Sequence, residues 1–105
     1  MDNQPKPAPN EFAAEALKGE FYITPGVRSK FRPREVYRAI NRHLALDWTD
    51  MDPEDRQDNL RAAMEGQGRV LGAYRIHVTR EQACDLWVVT EADRSTTTAL
   101  LPDEY

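Results

Sequence analysis

The sequence predicts an α+β domain: a small, mainly antiparallel sheet in the order β-α-α-β-β-β, covered on one face by two helices, with a short helix in front. Three observations predict it. The run Leu86-Trp87-Val88-Val89 is apolar at every position, which marks a strand covered on both sides and therefore central in its sheet. Two stretches, 33–46 and 53–65, combine helix start signals with apolar residues at helical spacing. Strand patterns return over 69–79 and 95–101.

In order from the amino terminus, residues 1–9 (MDNQPKPAP) place three prolines among polar and small residues. Such a composition cannot bury enough apolar surface to offset chain entropy, so a disordered leader is expected, followed by a single domain over 10–105. Asn10 reads as the N-cap of a short helix with Phe12, Ala13, Ala16 and Leu17 on one face and Gly19 as its stop. Glu20 to Thr24 is a short strand with Phe21 and Ile23 pointing one way and Tyr22 the other, and Pro25-Gly26 reads as a type II turn.

The chain then turns basic. From Arg28 to Arg42 it carries five arginines and Lys30 against the single acid Glu35. Pro33 suits the first turn of a helix running to about Leu46, and Val36, Tyr37, Ile40 and Leu44 recur at the spacing of one apolar face. Arg34, Arg38 and Arg42 lie four apart on another face, where aligned guanidinium groups can grip phosphates or an acidic protein surface. A solvated face paired with neighbouring acids is the plainer reading. His43 borders the apolar face and is expected to be packed and hydrogen-bonded, with Asp47 at i+4 as its only local partner.

Charge reverses over Asp47 to Asp58, where six acids face Arg56 alone. Asp52 followed by Pro53, Glu54 and Asp55 is an N-cap, a first-turn proline and two acids favoured by the helix dipole. The helix is expected to bury Leu60, Ala63 and Met64 and to stop at Gly66 and Gly68. Asp47, Asp50 and Asp52 lack the spaced oxygen ligands of a calcium loop, so no metal is expected there, and Trp48 and Met51 read as plugs between the two helices.

Val70, Tyr74, Ile76 and Val78 share one face of the next strand, opposite Arg75, His77 and Thr79, and the polar Arg80 to Ala83 connects it to the Leu86 strand as a hairpin. After the corner Glu91-Ala92-Asp93-Arg94, Thr96, Thr98 and Leu100 lie on one face of the last strand, with Thr97, Ala99 and Leu101 on the other, and Pro102 ends it. Glu91, Asp93 and Arg94 converge at this corner and can orient a substrate or touch a partner; a hairpin corner holding its own ion pair is the plainer reading.

Composition narrows the function classes. The chain of 105 residues has room for one core and none for separate cofactor and substrate domains. Its net charge of -4 argues mildly against nonspecific binding to a phosphate backbone. Cys84 alone excludes an intrachain disulfide and a multi-cysteine zinc site, and reads as a small buried hydrophobe. No charged start followed by an apolar run and no stretch near ~20 apolar residues occurs, so a soluble cytoplasmic protein without membrane contact is expected. There is no nucleophile elbow, P-loop or HExxH pair. No cofactor and no catalysis are expected.

The segments GEFYITPGV, NRHLALDW, PEDRQDN, GRVLGAYR and LWVVTEADRSTTTALLPDEY, spread over residues 19 to 105, together resemble a family of small proteins of bacterial plasmids and related mobile elements. Its members carry forms close to TPG, HxxxDW and WIITEADRSxTTxLLPxEY and are often labelled plasmid-related proteins or modification subunits of type I restriction systems. The second label does not fit, because a DNA methyltransferase needs a Rossmann-type sheet and a glycine-rich cofactor loop. The resemblance implies a setting of mobile DNA and host defence, and supplies no catalytic residues.

Together these readings predict a non-enzymatic accessory protein that binds a larger protein or complex, of the kind that inhibits a host defence nuclease as anti-CRISPR and antirestriction proteins do. The expected contact residues are Arg34, Arg38, Arg42, Glu91, Asp93 and Arg94. The alternative is a nucleic-acid binder using the Arg34, Arg38 and Arg42 face with Lys30 and Arg32, and a weaker one is a small hydrolase using the Glu91 corner. A homodimer formed by Ser95 to Leu101, were that strand at a sheet edge, is the remaining partner expectation.

Overall fold

Among the described residues proline opens each helical element. A computed structural model, which describes Leu17 and residues 19–105, has α1 at Pro25–Lys30, α2 at Pro33–Leu44, α3 at Pro53–Glu65 and a terminal 3-10 turn at Pro102–Glu104. Proline has no N–H to leave unpaired at a first helical position, and its φ is already helical. The expected leader over 1–9 and all of the front helix but Leu17 and Gly19 lie outside the described residues. Pro25-Gly26 is the first turn of α1 and not a type II turn, because Thr24 Oγ1 accepts the Val27 N–H at 3.3 Å and so caps a helix. Glu35 closes the start of α2 by accepting the Arg32 N–H at 2.9 Å. Gly66, at φ 68, takes the left-handed conformation that ends α3 where the sequence places its stop.

The strands are β1 (Glu20–Ile23), β2 (Val70–His77), β3 (Ala83–Thr90) and β4 (Thr96–Leu100), in the sheet order β1-β4-β3-β2. The α+β class and the order β-α-α-β-β-β are as the sequence predicts, with α1 as one further short helix. β2, β3 and β4 form an antiparallel meander, with Trp87 opposite Leu100 and Ala73 opposite Trp87. β1 joins β4 in parallel, Tyr22 opposite Thr98, after the chain has passed through α1, α2, α3, β2 and β3. β4 is therefore an inner strand, and Ser95 to Leu101 offers no edge for pairing with a second copy.

The core lies between the helices and one sheet face. Val70, Tyr74, Leu86, Val88 and Ala99 meet Val27, Phe31, Val36, Ala39, Ile40, Trp48 and Ala63, and half-buried Cys84 packs against this cluster as a free thiol. On the opposite sheet face Tyr105 meets Trp87 edge-on, with ring centroids 5.5 Å apart.

Two expected apolar faces are rotated. The buried stripe of α2 is Val36, Ala39, Ile40 and His43, which leaves Tyr37 57% exposed. α3 buries Asn59 and Ala63, while Leu60 and Met64 face outward. The cause in α3 is its seat beside the β2 edge. Asn59 Nδ2 donates to the Leu71 carbonyl at 2.7 Å and its Oδ1 accepts the Leu71 N–H at 3.3 Å. Met51 Sδ takes the Ala73 N–H at 3.4 Å and Asp50 Oδ2 the Arg75 N–H at 3.1 Å. Alternate backbone groups along β2 are thus occupied, which closes that edge to strand addition.

Candidate functional site

His43 is fully buried in α2, between one partner near in sequence and one far from it. Trp48 Nε1–H donates to His43 Nδ1 at 3.2 Å. Indole nitrogen only donates, so Nδ1 is the acceptor and the ring proton sits on Nε2. That proton goes to Thr90 Oγ1, 2.9 Å away; Thr90 in turn donates to Thr97 Oγ1 at 2.7 Å, and Thr97 to the Leu17 carbonyl at 3.2 Å. The chain of donors runs one way from α2 across β3 and β4, and every polar atom in it is used. Burial pushes the His43 imidazole down to about 3, so it stays neutral. An enclosed, neutral, doubly bonded imidazole has no lone pair to offer a substrate. The expected partner Asp47 is engaged elsewhere.

Asp47 belongs to Arg42. The Arg42 guanidinium donates from Nε to Asp47 at 2.8 Å, from Nη1 to Asp50 at 3.2 Å and from Nη2 to Thr49 at 3.0 Å. It also lies 4.8 Å above the ring of Tyr74, whose hydroxyl donates to the Asp47 carbonyl at 2.9 Å. The Arg42 guanidinium holds the Asp47 carboxyl down at about 2 and lowers that of Asp50 too, while the two acids raise Arg42. Burial, ahead of the neighbouring charges, raises the Tyr74 phenol. Arg42 is thus a staple between the end of α2, the following loop and the β2 edge. Among the described residues no cluster of three or more His, Cys, Asp or Glu is arranged to hold a metal ion, and no helix is long and apolar enough to cross a membrane.

The β3–β4 corner is divided among three tasks. Arg94, at φ 63, donates to the carbonyls of Gly68 at 2.6 Å and Ala62 at 2.8 Å, and to its own turn at Glu91. A cation on the carbonyls that end α3 is favoured by the helix dipole. Asp93 accepts the Ser95 hydroxyl at 2.6 Å and the Ser95 N–H at 2.9 Å, which lower its carboxyl, the hydroxyl most. Glu91 pairs with Arg69 at 3.1 Å, and Arg69 donates to the Tyr105 hydroxyl at 2.6 Å. The corner holds no ion pair between Arg94 and Glu91 or Asp93; Arg94 serves backbone carbonyls instead.

The carboxy-terminal turn is tied to the start of α1. Glu104 accepts the Leu101 N–H at 2.8 Å and the Thr24 hydroxyl at 2.7 Å, and these bonds, the backbone one foremost, lower its carboxyl. Asn59, Thr90 and Thr97 are buried polar residues that sequence reading left unassigned. Asn59 could have been found from its place between Arg56 and Ala63 on the inward stripe of α3, where a polar residue must find a partner.

Arg34 and Arg38 remain outside these networks. Both are exposed on α2 with Tyr37 between them, and neither makes an ion pair among the described residues. A shallow groove lined by Arg34, Tyr37, Arg38, Asn41, Arg42 and Asp47 runs along this face, and a cleft of about 600 Å³ on its flank is lined by Arg38, Arg42, Tyr74, Arg75 and His77. The structure brings Arg34 and Arg38 together, sets Arg42 apart among acids, and places the Glu91 corner on the β3–β4 turn. Against known proteins, no family model matches the chain, and no curated protein and no solved structure is significantly similar to it.

Proposed function

We propose that the protein acts by binding, not catalysis, and that it occupies the surface of a larger protein through the outward face of α2 centred on Arg34, Tyr37 and Arg38. One observation carries this reading: these side chains are exposed without ion-pair partners among the described residues, while His43, Asp47 and Asp93 are engaged in hydrogen bonds to other groups of the chain. An exposed tyrosine flanked by arginines has the composition of a protein-binding hot spot. The resemblance of the motifs to plasmid and mobile-element proteins supports a host defence complex, of the restriction or CRISPR kind, as the partner, with this protein as its inhibitor.

A nucleic-acid ligand fits less well. Asp47 and Asp50 occupy Arg42, the third arginine of the row, and Glu35 lies beside Arg34 and Arg38 around the adjoining pocket. The test is affinity capture from bacterial cytoplasm with the native chain and with Arg34→Glu/Arg38→Glu. A specific complex held by the native chain and lost by the variant, with melting temperature unchanged, is the expected result. Equal capture by both contradicts the reading. Duplex DNA binding that weakens steeply with salt and is lost on Arg38→Glu assigns the face to nucleic acid.

A further inference from the structure

The α2 face continues into an apolar slot. Between β1 and the corner joining α1 to α2 lies a cavity of about 400 Å³, lined by Ile23, Arg28, Phe31, Pro33, Val36 and Tyr37. Its floor is hydrophobic, with Phe31 and Val36 buried and Ile23 half-buried. Its rim carries the exposed Arg28 on α1 and the exposed Tyr37 on α2. Tyr37 also walls the groove that holds Arg34 and Arg38, so slot and cationic face form one surface. Among the described residues Arg28, Arg34 and Arg38 make no ion pair.

Two chemistries must be satisfied by whatever covers this surface. A phosphate chain would answer the arginines and leave the apolar floor without an occupant. A wholly apolar partner would strip water from guanidinium groups and give them nothing in exchange, which is costly. We propose that the slot takes one large apolar side chain from an acidic segment of the partner protein, with the segment's carboxylates over Arg28, Arg34 and Arg38. Apolar burial then anchors the segment, and charge complementarity selects it and fixes its direction along α2. This inference rests on the reading of α2 as a protein-binding face and names what that face receives.

The test uses the full chain, labelled for amide NMR, and a short synthetic peptide of glutamates around one central phenylalanine. Saturable shifts at Ile23, Phe31 and Val36 are expected, with binding on the order of tenfold weaker when serine replaces the phenylalanine and a similar loss on Tyr37→Ala or Arg28→Glu. Both substituted residues are exposed, so the melting temperature should hold. The proposal is overturned if the serine peptide binds as tightly, or if no shift reaches the slot at millimolar peptide. It is also overturned if a duplex oligonucleotide binds Arg34 and Arg38 more tightly than the peptide does. In the capture experiment, loss on Arg34→Glu/Arg38→Glu and on Tyr37→Ala with full retention by Arg28→Glu would leave the α2 reading standing and remove the slot.

Discussion

His43 shows how a residue type associated with catalysis becomes part of a frame. Its ring accepts from Trp48 and donates to Thr90, and burial moves its protonation from the ordinary 6.5 to about 3. In the unfolded chain the same imidazole titrates normally. Between pH 6.5 and 3 the unfolded state therefore binds more protons, and stability falls as pH falls through that window. The loss should be on the order of a few kcal/mol. Asp47 adds a loss of the same sign lower down, between its ordinary 3.8 and about 2, reduced by the partial exposure of its pair with Arg42. Urea unfolding at successive pH values should show the decline, and His43→Gln should flatten it above pH ~4 while lowering stability at pH ~7. An unchanged slope in the variant would show that another group titrates. The sequence makes His43 legible as a packed residue and Trp48 as a plug. It hides the pairing, because Thr90 is 47 positions away and only strand register brings it beneath α2.

Elements are joined through backbone groups at helix ends and along the β2 edge. Arg94 binds the Ala62 and Gly68 carbonyls and so ties the β3–β4 turn to the end of α3. Arg94→Ala should destabilise by about 1–3 kcal/mol, the range for losing hydrogen bonds made by a charged group, and should speed amide exchange in the last turn of α3 and in residues 91–95. Exchange confined to the β3–β4 turn would mean that Arg94 does not hold the helix. The starts of α2 and α3 and the stop of α3 are legible in Pro33, Pro53 and Gly66, because caps are local chemistry, while α2 ends at Leu44, two residues before the expected Leu46. Which side faces inward is not. Leu60 and Met64 have the spacing of a buried pair, yet Asn59 turns toward β2 to satisfy Leu71, and the exposed pair follows. A polar residue with backbone groups to serve sets the rotation of a mostly polar helix.

Across the molecule, the segments that are most distinctive in sequence meet in space. Thr24 of the TPG segment donates to Glu104 of the terminal PDEY; His43 of the next segment, which accepts from Trp48, reaches Thr90; Asp93 and Arg94 fix the corner that follows it. These side chains hold the sheet to the helices and one end of the chain to the start of α1. The class and order of elements follow from periodicity and caps, while the parallel seat of β1 beside β4 does not, since no local pattern records which inner strand a crossover will reach. Among the side chains the frame leaves over are Arg34, Tyr37 and Arg38 on α2. The division between frame and working face is the central claim, and partner capture tests it most directly when Arg34→Glu/Arg38→Glu is set beside Glu91→Gln/Asp93→Asn. The α2 variant should lose the partner at unchanged melting temperature, while the corner variant should keep it even where stability falls. Loss of the partner by the corner variant with its fold intact, and retention by the α2 variant, would contradict the account.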